Sequence, residues 1–228
     1  IGSFFHMKGD NRLTAVYNGV STHFKPATDA SILKAVKEKY HLPDNYFFFL
    51  GNTDPKKNTP GVLKAFSDFK KQTGSDHKLV MLDYDRKELE KILASIGDEK
   101  LIDNIVLTGY VVNTDLPAIY CQSQAFLYPS LRESFGIPML EAMACGVPVI
   151  TSNTSSMPEV AGTAAIIINP YKPEEITAAM IKLMNNEGLK QELITAGIKQ
   201  AAKFSWKAMA EDVLKIYAEV QQNNILKN

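Results

Sequence analysis

Two glutamates eight residues apart, Glu133 and Glu141, bracket a glycine-containing turn in the middle of the chain. A carboxylate that faces a pocket can accept hydrogen bonds from ligand hydroxyls, such as those of a sugar, and it can stabilise positive charge that develops on a ligand. The pair by itself favours a plainer interpretation, in which Glu133 helps to cap a helix and Glu141 is a solvated surface charge, because acidic residues are common at helix starts. The residues around the pair must decide between these interpretations.

The turn between the two glutamates is suited to binding a phosphate. Residues 128–151 are predicted to form a strand, a loop, a helix and a second strand, with Pro138 in the first helical turn and Gly146 at the end of the helix. The loop then places free backbone N–H groups at a helix N-terminus, where the helix dipole attracts anions, and Gly136 has no side chain to block a diphosphate. The loop residues are Ser134, Phe135, Gly136 and Ile137.

A pair of lysines follows the first predicted strand, in the loop Gly51-Asn-Thr-Asp-Pro-Lys-Lys-Asn58. An ammonium at Lys56 or Lys57 would neutralise the charge that develops on a diphosphate leaving group. A solvated turn between strand and helix would explain the same two lysines equally simply.

Two further acidic patterns have structural explanations. Asp83-x-Asp85 matches a short metal-binding motif, but two carboxylates without further ligands make a poor divalent-cation site. We therefore predict that Asp85 caps the next helix, and we expect no metal site. Ser156 and Glu159 have the spacing of a capping box, so we assign Glu159 no catalytic role.

These residues need a fold that brings several loops together. Nearly continuous apolar runs, typical of strands covered on both faces, alternate with segments of helical periodicity. The alternation predicts an α/β fold, a doubly wound Rossmann-like parallel sheet of about six strands with helices on both faces. Such sheets bind ligands beyond the carboxyl ends of their strands, where the candidate loops lie. The predicted strands are residues 46–50, 78–82, 104–107, 124–128, 147–151 and 164–168, and predicted helices include residues 31–39, 174–184, 189–203 and 206–220, the last capped by Ser205.

The composition argues against several classes of function. Lysine plus arginine number 25 and aspartate plus glutamate number 25, so no charge excess would attract nucleic acid. No apolar run approaches the roughly 20 residues that span a bilayer. No secretory signal is recognisable, and Cys121 and Cys145 resemble small buried hydrophobic residues, so we expect a reducing, cytoplasmic setting. No G-x-G-x-x-G follows a predicted strand, as an NAD-dependent dehydrogenase would require, and the four histidines have no metal-ligand or triad spacing.

The stretch from Tyr128 to Thr151 resembles the E-x7-E motif of the family 4 glycosyltransferases, retaining enzymes of the two-domain GT-B type, with Glu133 and Glu141 as its two acids. Asn104-Ile-Val-Leu-Thr-Gly-Tyr-Val111 upstream and residues 151–162 downstream continue the resemblance, which runs from about Asn18 to Tyr217. It implies that Glu133 lies near the donor hexose and that Glu141 binds the ribose.

The resemblance implies donor-binding roles for other residues as well. The loop after the first strand matches a phosphate-binding loop in which Lys57 aligns with the catalytic lysine. The arginine that usually follows the loop glycine is replaced by asparagine, and we expect Lys56 to compensate, although lysine lacks the bidentate fork of arginine. Val111 would meet the nucleobase, and the backbone of residues 135–137 would contact the sugar or the diphosphate. The donor-binding set predicted in this way is Gly51, Asn52, Lys56, Val111, Asn113, Ser134, Phe135, Gly136, Ile137 and Glu141.

The resemblance also divides the chain, which begins with Ile1 rather than Met, and we expect it to be part of a longer protein. Residues 1–25, with a short predicted strand at 13–17 and a turn at Asn18-Gly19, would be a remnant of an N-terminal acceptor domain and hinge. Residues 26–204 would bind the donor, and residues 205–228 would form a helix that crosses back to the missing domain.

The implied function is transfer of a hexose from GDP-mannose or a UDP-hexose to a glycan or lipid-linked acceptor in cell-surface polysaccharide synthesis. No cofactor or obligatory metal is expected, and the full-length protein could lie at the inner face of the membrane. This fragment alone is expected to bind the donor without transferring sugar. The alternatives are a non-catalytic nucleotide-sugar-binding module and a sugar-nucleotide epimerase on a GT-B scaffold.

Overall fold

Six short apolar strands form one sheet in the computed structural model, which describes residues 13–225. Every neighbouring pair of strands is parallel, and the order across the sheet is β3-β2-β1-β4-β5-β6. The six predicted strands are confirmed, each within two residues at either end. The strands are β1 Tyr46–Phe49, β2 Lys78–Met81, β3 Ile105–Leu107, β4 Ala125–Tyr128, β5 Val149–Ser152 and β6 Ile166–Ile168.

Helices cover both faces of this sheet, as expected from the uninterrupted apolar runs. They are α1 Ala30–Lys39, α2 Thr59–Thr73, α3 Arg86–Ser95, α4 Leu116–Cys121, α5 Ile137–Ala144, α6 Met157–Ala161, α7 Pro173–Met184, α8 Glu187–Ala201 and α9 Trp206–Ile225. Buried side chains of α2, α3 and α7 pack on one face. Those of α1, α4, α5 and α6 pack on the other face. The doubly wound α/β fold is therefore confirmed.

Strand β1 explains why the apolar runs do not alternate. Phe47 and Phe49 point to the face covered by α2, while Tyr46 and Phe48 point to the opposite face. All four rings are almost completely buried, and each contributes about 1.5–3 kcal/mol by leaving water. A strand buried on both faces needs apolar residues at every position.

Two local predictions near the N-terminus and in the β5 loop are wrong. Residues 13–17 form no strand and pair with none in the described part of the chain; instead the ring of Tyr17 packs on Phe204, at a centroid distance of 5.8 Å. The capping box also does not form. The Ser156 hydroxyl donates to two carbonyl oxygens of the β4 loop instead, and the Glu159 carboxylate accepts a hydrogen bond from Tyr17 Oη. Residues 1–12 of the predicted remnant lie outside the described residues.

The other predicted caps are confirmed. Asp85 accepts a hydrogen bond from the Glu88 amide at 2.9 Å, and Ser205 Oγ accepts one from the Ala208 amide at 3.0 Å at the start of α9. Pro138 occupies the first turn of α5, and Gly146 follows its last residues. Between residues 13 and 225, no helix is both long and apolar enough to cross a bilayer.

The strand order creates a switch point between β1 and β4. The chain leaves β1 towards α2 on one face, and it leaves β4 towards α5 on the other face. Loops that depart in opposite directions from neighbouring parallel strands open a crevice at the carboxyl edge of the sheet. The β1 loop contains Lys57, and the β4 loop contains Glu133.

Candidate active site

Lys57 and Glu133 meet in the crevice at the switch point. Lys57 Nζ lies 2.6 Å from Glu133 Oε1, and the two side chains are only 15% and 13% exposed. The ammonium also lies 5.2 Å from the centre of the Tyr128 ring, within the range of a cation–π contact. Burial and the neighbouring Glu133 carboxylate raise the pKa of Tyr128, so its hydroxyl stays neutral. The crevice thus holds a fixed, largely desolvated cation that can bind an anion.

The position of Lys57 is set by a tightly bonded turn. Asp54 caps a single 3-10 turn, Pro55–Lys57, by accepting a hydrogen bond from the Lys56 amide at 3.0 Å. Asn58 follows with a left-handed backbone, and its side-chain amide donates to the carbonyl oxygens of Pro129 at 3.2 Å and Pro170 at 2.7 Å. Asn58 therefore ties together the loops after β1, β4 and β6. Asn58 was not among the predicted site residues, although an asparagine next to a turn lysine is a signal for the left-handed region.

The other predicted residues of this loop have structural contacts. An added Cβ at Gly51 would lie 2.1 Å from the Phe49 ring. Asn52 accepts a hydrogen bond from the Asp54 amide at 2.9 Å with its side chain. Lys56 is 48% exposed, and its ammonium pairs with Asp54 at 3.0 Å. The structure thus places Lys57 in the crevice and Lys56 on the surface.

Helix α5 begins shortly after Glu133 in the sequence, and its N-terminus is the second feature of the site. Gly136 is the N-cap, with φ of 101°, and no side chain caps the helix. Within residues 13–225, no hydrogen bond uses the backbone N–H of the four loop residues Ser134, Phe135, Gly136 and Ile137. Free N–H groups at a helix N-terminus attract phosphate oxygens. A Cβ at Gly136 would lie 2.6 Å from Cε of the buried Met157 side chain, so the end of that side chain would have to move to admit it.

Three hydroxyl residues of the β5 loop hold the β4 loop in place. Thr154 Oγ1 donates to the carbonyl oxygen of Leu131 at 3.1 Å. The hydroxyls of Ser155 and Ser156 both donate to the carbonyl oxygen of Glu133, and the amide of Glu133 donates to Ser155 Oγ at 3.3 Å. Thr154 and Ser155 were not among the predicted site residues, and Ser156 was predicted only as a helix cap, although their run of hydroxyl groups after a buried strand was the available signal.

Phe135 contributes only its backbone to the crevice. Its buried ring packs against Tyr17, with ring centres 6.0 Å apart, and against Phe204, with ring centres 5.7 Å apart. These contacts hold the β4 loop in place. Tyr17 lies near the start of the described chain and Phe204 near its end.

Glu141 lies in the second turn of α5 and is mostly buried. Burial raises the pKa of its carboxyl to about 7, and a hydrogen bond from Tyr120 Oη to Glu141 Oε2, 3.3 Å long, opposes that rise. The plainer interpretation of both glutamates is therefore wrong. Glu141 is no solvated surface charge, and Glu133 pairs with Lys57 instead of capping α5.

The predicted nucleobase residues follow β3, at the outer edge of the sheet, with β2 between them and β1. Val111 is buried and Asn113 is exposed. Tyr40 braces this loop, because its hydroxyl accepts a hydrogen bond from the Val112 amide at 3.4 Å. No described contact joins Val111 or Asn113 to Lys57 or Glu133, so their part in the site stays a prediction.

Metal-ligand clusters are not found in the described region: residues 13–225 contain no group of three or more His, Cys, Asp and Glu side chains that could hold an ion. Cys121 and Cys145 are both free thiols.

Residues 33–200 match the sequence model of a protein family described as "Glycosyl transferases group 1". The O-antigen chain mannosyltransferase B of Escherichia coli is 31% identical over 208 residues, which are 91% of this chain and 54% of that protein. The chain therefore spans about half the length of this curated relative.

The fold is shared with solved glycosyltransferase structures. A glycosyltransferase from Rickettsia africae superposes with a TM-score of 0.80 and 20% identity, covering 92% of this chain and 57% of that one. The C-terminal domain of a glycosyl transferase group 1 family protein, LpcC from Francisella tularensis, superposes with a TM-score of 0.66 and 20% identity, covering 81% of this chain and 96% of that one.

Proposed function

Because this chain belongs to the group 1 glycosyl transferases, with their GT-B type of fold, we propose that it binds the nucleotide-sugar donor of a retaining hexosyltransferase. The observation that supports this most directly is the crevice between β1 and β4. There Lys57 is held beside the Glu133 carboxylate. The chain continues from Glu133 into the N-terminus of α5, whose backbone N–H groups have no hydrogen-bond partner among the described residues. A diphosphate needs this combination of a fixed cation and free donors.

The chemistry that we propose follows from where charge develops. As the bond between the anomeric carbon and the diphosphate oxygen breaks, negative charge grows on the diphosphate and positive charge grows on the sugar ring. Lys57 and the N–H groups at the start of α5 stabilise the first charge. Glu133 accepts hydrogen bonds from hexose hydroxyls and holds the ring in place, and Glu141 accepts them from the ribose. These protein groups supply the positive potential, so we propose that no metal is required.

For the donor we propose a nucleotide-activated mannose, with GDP-mannose as the first probe. The support is the relative at 31% identity, which is a mannosyltransferase by name. That relative is also named for the O-antigen chain, so we propose a growing cell-surface polysaccharide as the acceptor. The two free thiols suit a reducing cytoplasm, where we place the enzyme, at the inner face of the membrane.

We further propose that the donor site lies within residues 26–204 and that the acceptor binds to a domain outside this chain. The length of the E. coli relative and the close size match with a solved C-terminal domain support this division. The 228-residue chain should then bind the donor without transferring sugar.

The test is isothermal titration of the chain with GDP-mannose, UDP-glucose and ADP-glucose, with and without EDTA. We expect saturable binding of GDP-mannose that EDTA leaves unchanged, and no release of mannose or of an epimer in the same samples. Folded protein that binds none of the three donors would refute the proposed function. Turnover to an epimer would identify a different enzyme on the same scaffold.

A further inference from the structure

We propose that Tyr120 is a positioning residue for Glu141 and that donor binding is coupled to loss of a proton from the Glu141 carboxyl. The proposal rests on the proposed function, because it concerns the residue that would bind the ribose. It adds a residue from a different helix to the site, and it adds a dependence on pH.

Tyr120 is completely buried, yet its hydroxyl lies against the polar groups of one helix only. The ring packs edge-on against Phe48 and Phe126, with centroid distances of 5.0 and 5.1 Å. Its hydroxyl lies 3.3 Å from Glu141 Oε2 and 3.4 Å from the carbonyl oxygen of Pro138. Aromatic packing therefore fixes the hydroxyl under the first two turns of α5, and the hydroxyl in turn fixes the carboxyl.

The groups that face Glu141 give its carboxylate little other support. Tyr120 approaches from α4, Tyr128 from β4, and Cys145 from the end of α5. All three are neutral in the folded protein, because burial raises the pKa values of the two phenols, and a hydrogen bond with the Cys121 thiol, together with burial, raises the pKa of the Cys145 thiol. Within residues 13–225, no lysine, arginine or histidine forms an ion pair with Glu141. The phenol of Tyr120 is thus the one hydrogen-bond donor in that region that lowers the pKa of this carboxyl.

A buried carboxyl with one donor changes its protonation when a ligand adds more donors. Two ribose hydroxyls that donate to Glu141 favour the ionised form, so binding should draw the carboxyl from a protonated to an ionised state near neutral pH. Affinity should then fall as the solution becomes more acidic, because a proton competes with the ribose for the same oxygen atoms.

The experiment measures the Kd of GDP-mannose between about pH 5.5 and about pH 8.5 for the wild-type chain, Tyr120→Phe and the matched control Tyr46→Phe. Tyr46 is equally buried, and its hydroxyl donates to the carbonyl oxygen of Ile119 at 2.6 Å, so it makes no hydrogen bond with Glu141. GDP-mannose is a suitable probe because its diphosphate is esterified at both ends and has no secondary ionisation in this range.

For the wild-type chain we expect the Kd to rise by up to about tenfold per pH unit below a midpoint near neutrality, which is the limit for one coupled proton. Tyr120→Phe should move that midpoint upward by about half to one pH unit, since the ionised form loses its donor. Tyr46→Phe should leave the midpoint where it is, and Glu141→Gln should bind weakly with no pH dependence.

A flat profile for the wild-type chain, or equal shifts for the two tyrosine variants, would overturn the inference while leaving the proposed function intact. Absence of binding at every pH would overturn both. An NMR titration of the Glu141 carboxyl without donor provides a second readout, in which only Tyr120→Phe should raise the pKa.

Discussion

The ammonium of Lys57 has two competing partners in the proposed mechanism, the Glu133 carboxylate at 2.6 Å and the donor diphosphate. Replacing Glu133 by Gln should therefore strengthen binding of plain GDP by about threefold or more, since removing one partner of a largely desolvated ion pair leaves an uncompensated charge that the diphosphate can neutralise. The same change should reduce the preference for GDP-mannose over GDP, because the hexose loses a charged acceptor. Titration calorimetry with both ligands measures the two effects.

Asp54→Asn is the control for this variant. It removes the carboxylate from the exposed ion pair between Asp54 and Lys56, and asparagine can still cap the 3-10 turn that follows. It should leave both affinities unchanged. Weaker GDP binding by Glu133→Gln would show that the carboxylate assists the diphosphate instead of competing with it.

The two neighbouring lysines should differ sharply in their effect on affinity. Lys57→Met should weaken GDP binding by at least about tenfold, because a charge-assisted hydrogen bond to phosphate in a desolvated crevice is lost. Lys56→Met should change it by less than about threefold, since this exposed ammonium pairs with Asp54. Thermal unfolding of both variants checks that they are folded. Equal losses would mean that Lys56 compensates for the missing arginine, as the sequence suggested.

Glu141 should make the free protein less stable at high pH. Its pKa in the folded state is raised to about 7 from 4.5, so between these values the folded state binds more protons than the unfolded state. The stability contribution of this group is therefore present at low pH and is lost as the pH rises through about 7. Glu141→Gln, which is neutral at every pH, should raise the free energy of unfolding by about 1–3 kcal/mol at about pH 8 and change it little at about pH 4.5. Urea unfolding at the two pH values measures this difference.

The exposed Glu192 of α8 supplies the comparison for that experiment. Glu192→Gln should alter stability by less than about 0.5 kcal/mol at either pH. A stabilising effect of Glu141→Gln that is equal at both pH values would contradict the raised pKa.

Residues of the site could be predicted from the sequence where they are neighbours in the sequence. Gly136 and the loop N–H groups are adjacent in the chain, and a glycine before Pro138 marks a helix N-terminus. Residues such as Asn58, Ser155 and Tyr120 act through contacts between different loops or helices, and no local pattern encodes those contacts. The wrong capping box has the same cause, because the partners of Ser156 and Glu159 come from elsewhere in the chain.

At the scale of elements, sequence periodicity was most informative where burial was complete. The six strands are apolar at nearly every position because helices cover both faces, and their positions were predicted to within two residues. The segment at 13–17 also looked like a strand, but it has no neighbouring strand to pair with among the described residues. Whether a segment forms a strand depends on a neighbouring strand to pair with, so a short apolar run by itself does not predict one.

A substitution at Gly136 tests whether stability and GDP binding depend on the backbone conformation at the start of α5. Gly136→Ala places a Cβ in a left-handed backbone and against buried Met157, so it should lower the free energy of unfolding by about 2 kcal/mol or more. It should also weaken GDP binding, because the loop N–H groups shift. Chemical unfolding and calorimetry measure the two effects.

Gly74 at the end of α2 is the matched position, since it is also left-handed but has nothing within 4 Å of an added Cβ. Gly74→Ala should cost about 1 kcal/mol of stability through backbone strain alone and leave GDP binding unchanged. If both variants bind GDP like the wild-type chain, the start of α5 does not contact the diphosphate.

At the scale of the whole molecule, α9 differs from the other long helices in how little of its surface is buried. None of its side chains between residues 206 and 222 is buried, and Leu214 and Tyr217 are 65% and 68% exposed on a helix that also carries exposed Trp206 and Val220. Apolar residues gathered on one exposed helix indicate a surface that binds another part of a protein. In a protein of the length of the E. coli relative, we expect this face to cover the acceptor domain.

A double substitution, Leu214→Ser with Tyr217→Ser, separates that docking role from donor binding. In the 228-residue chain it should change stability by less than about 0.5 kcal/mol and leave the Kd of GDP-mannose unchanged, because neither side chain has a buried contact to lose. In the longer protein it should lower the rate of mannose transfer by about tenfold or more, since two docked apolar side chains contribute about 1.5–3 kcal/mol each.

The control, Glu211→Gln with Lys215→Gln, changes two exposed polar residues of the same helix and should leave transfer intact. Full transfer activity in the Leu214 and Tyr217 variant would mean that α9 has no part in joining the two domains.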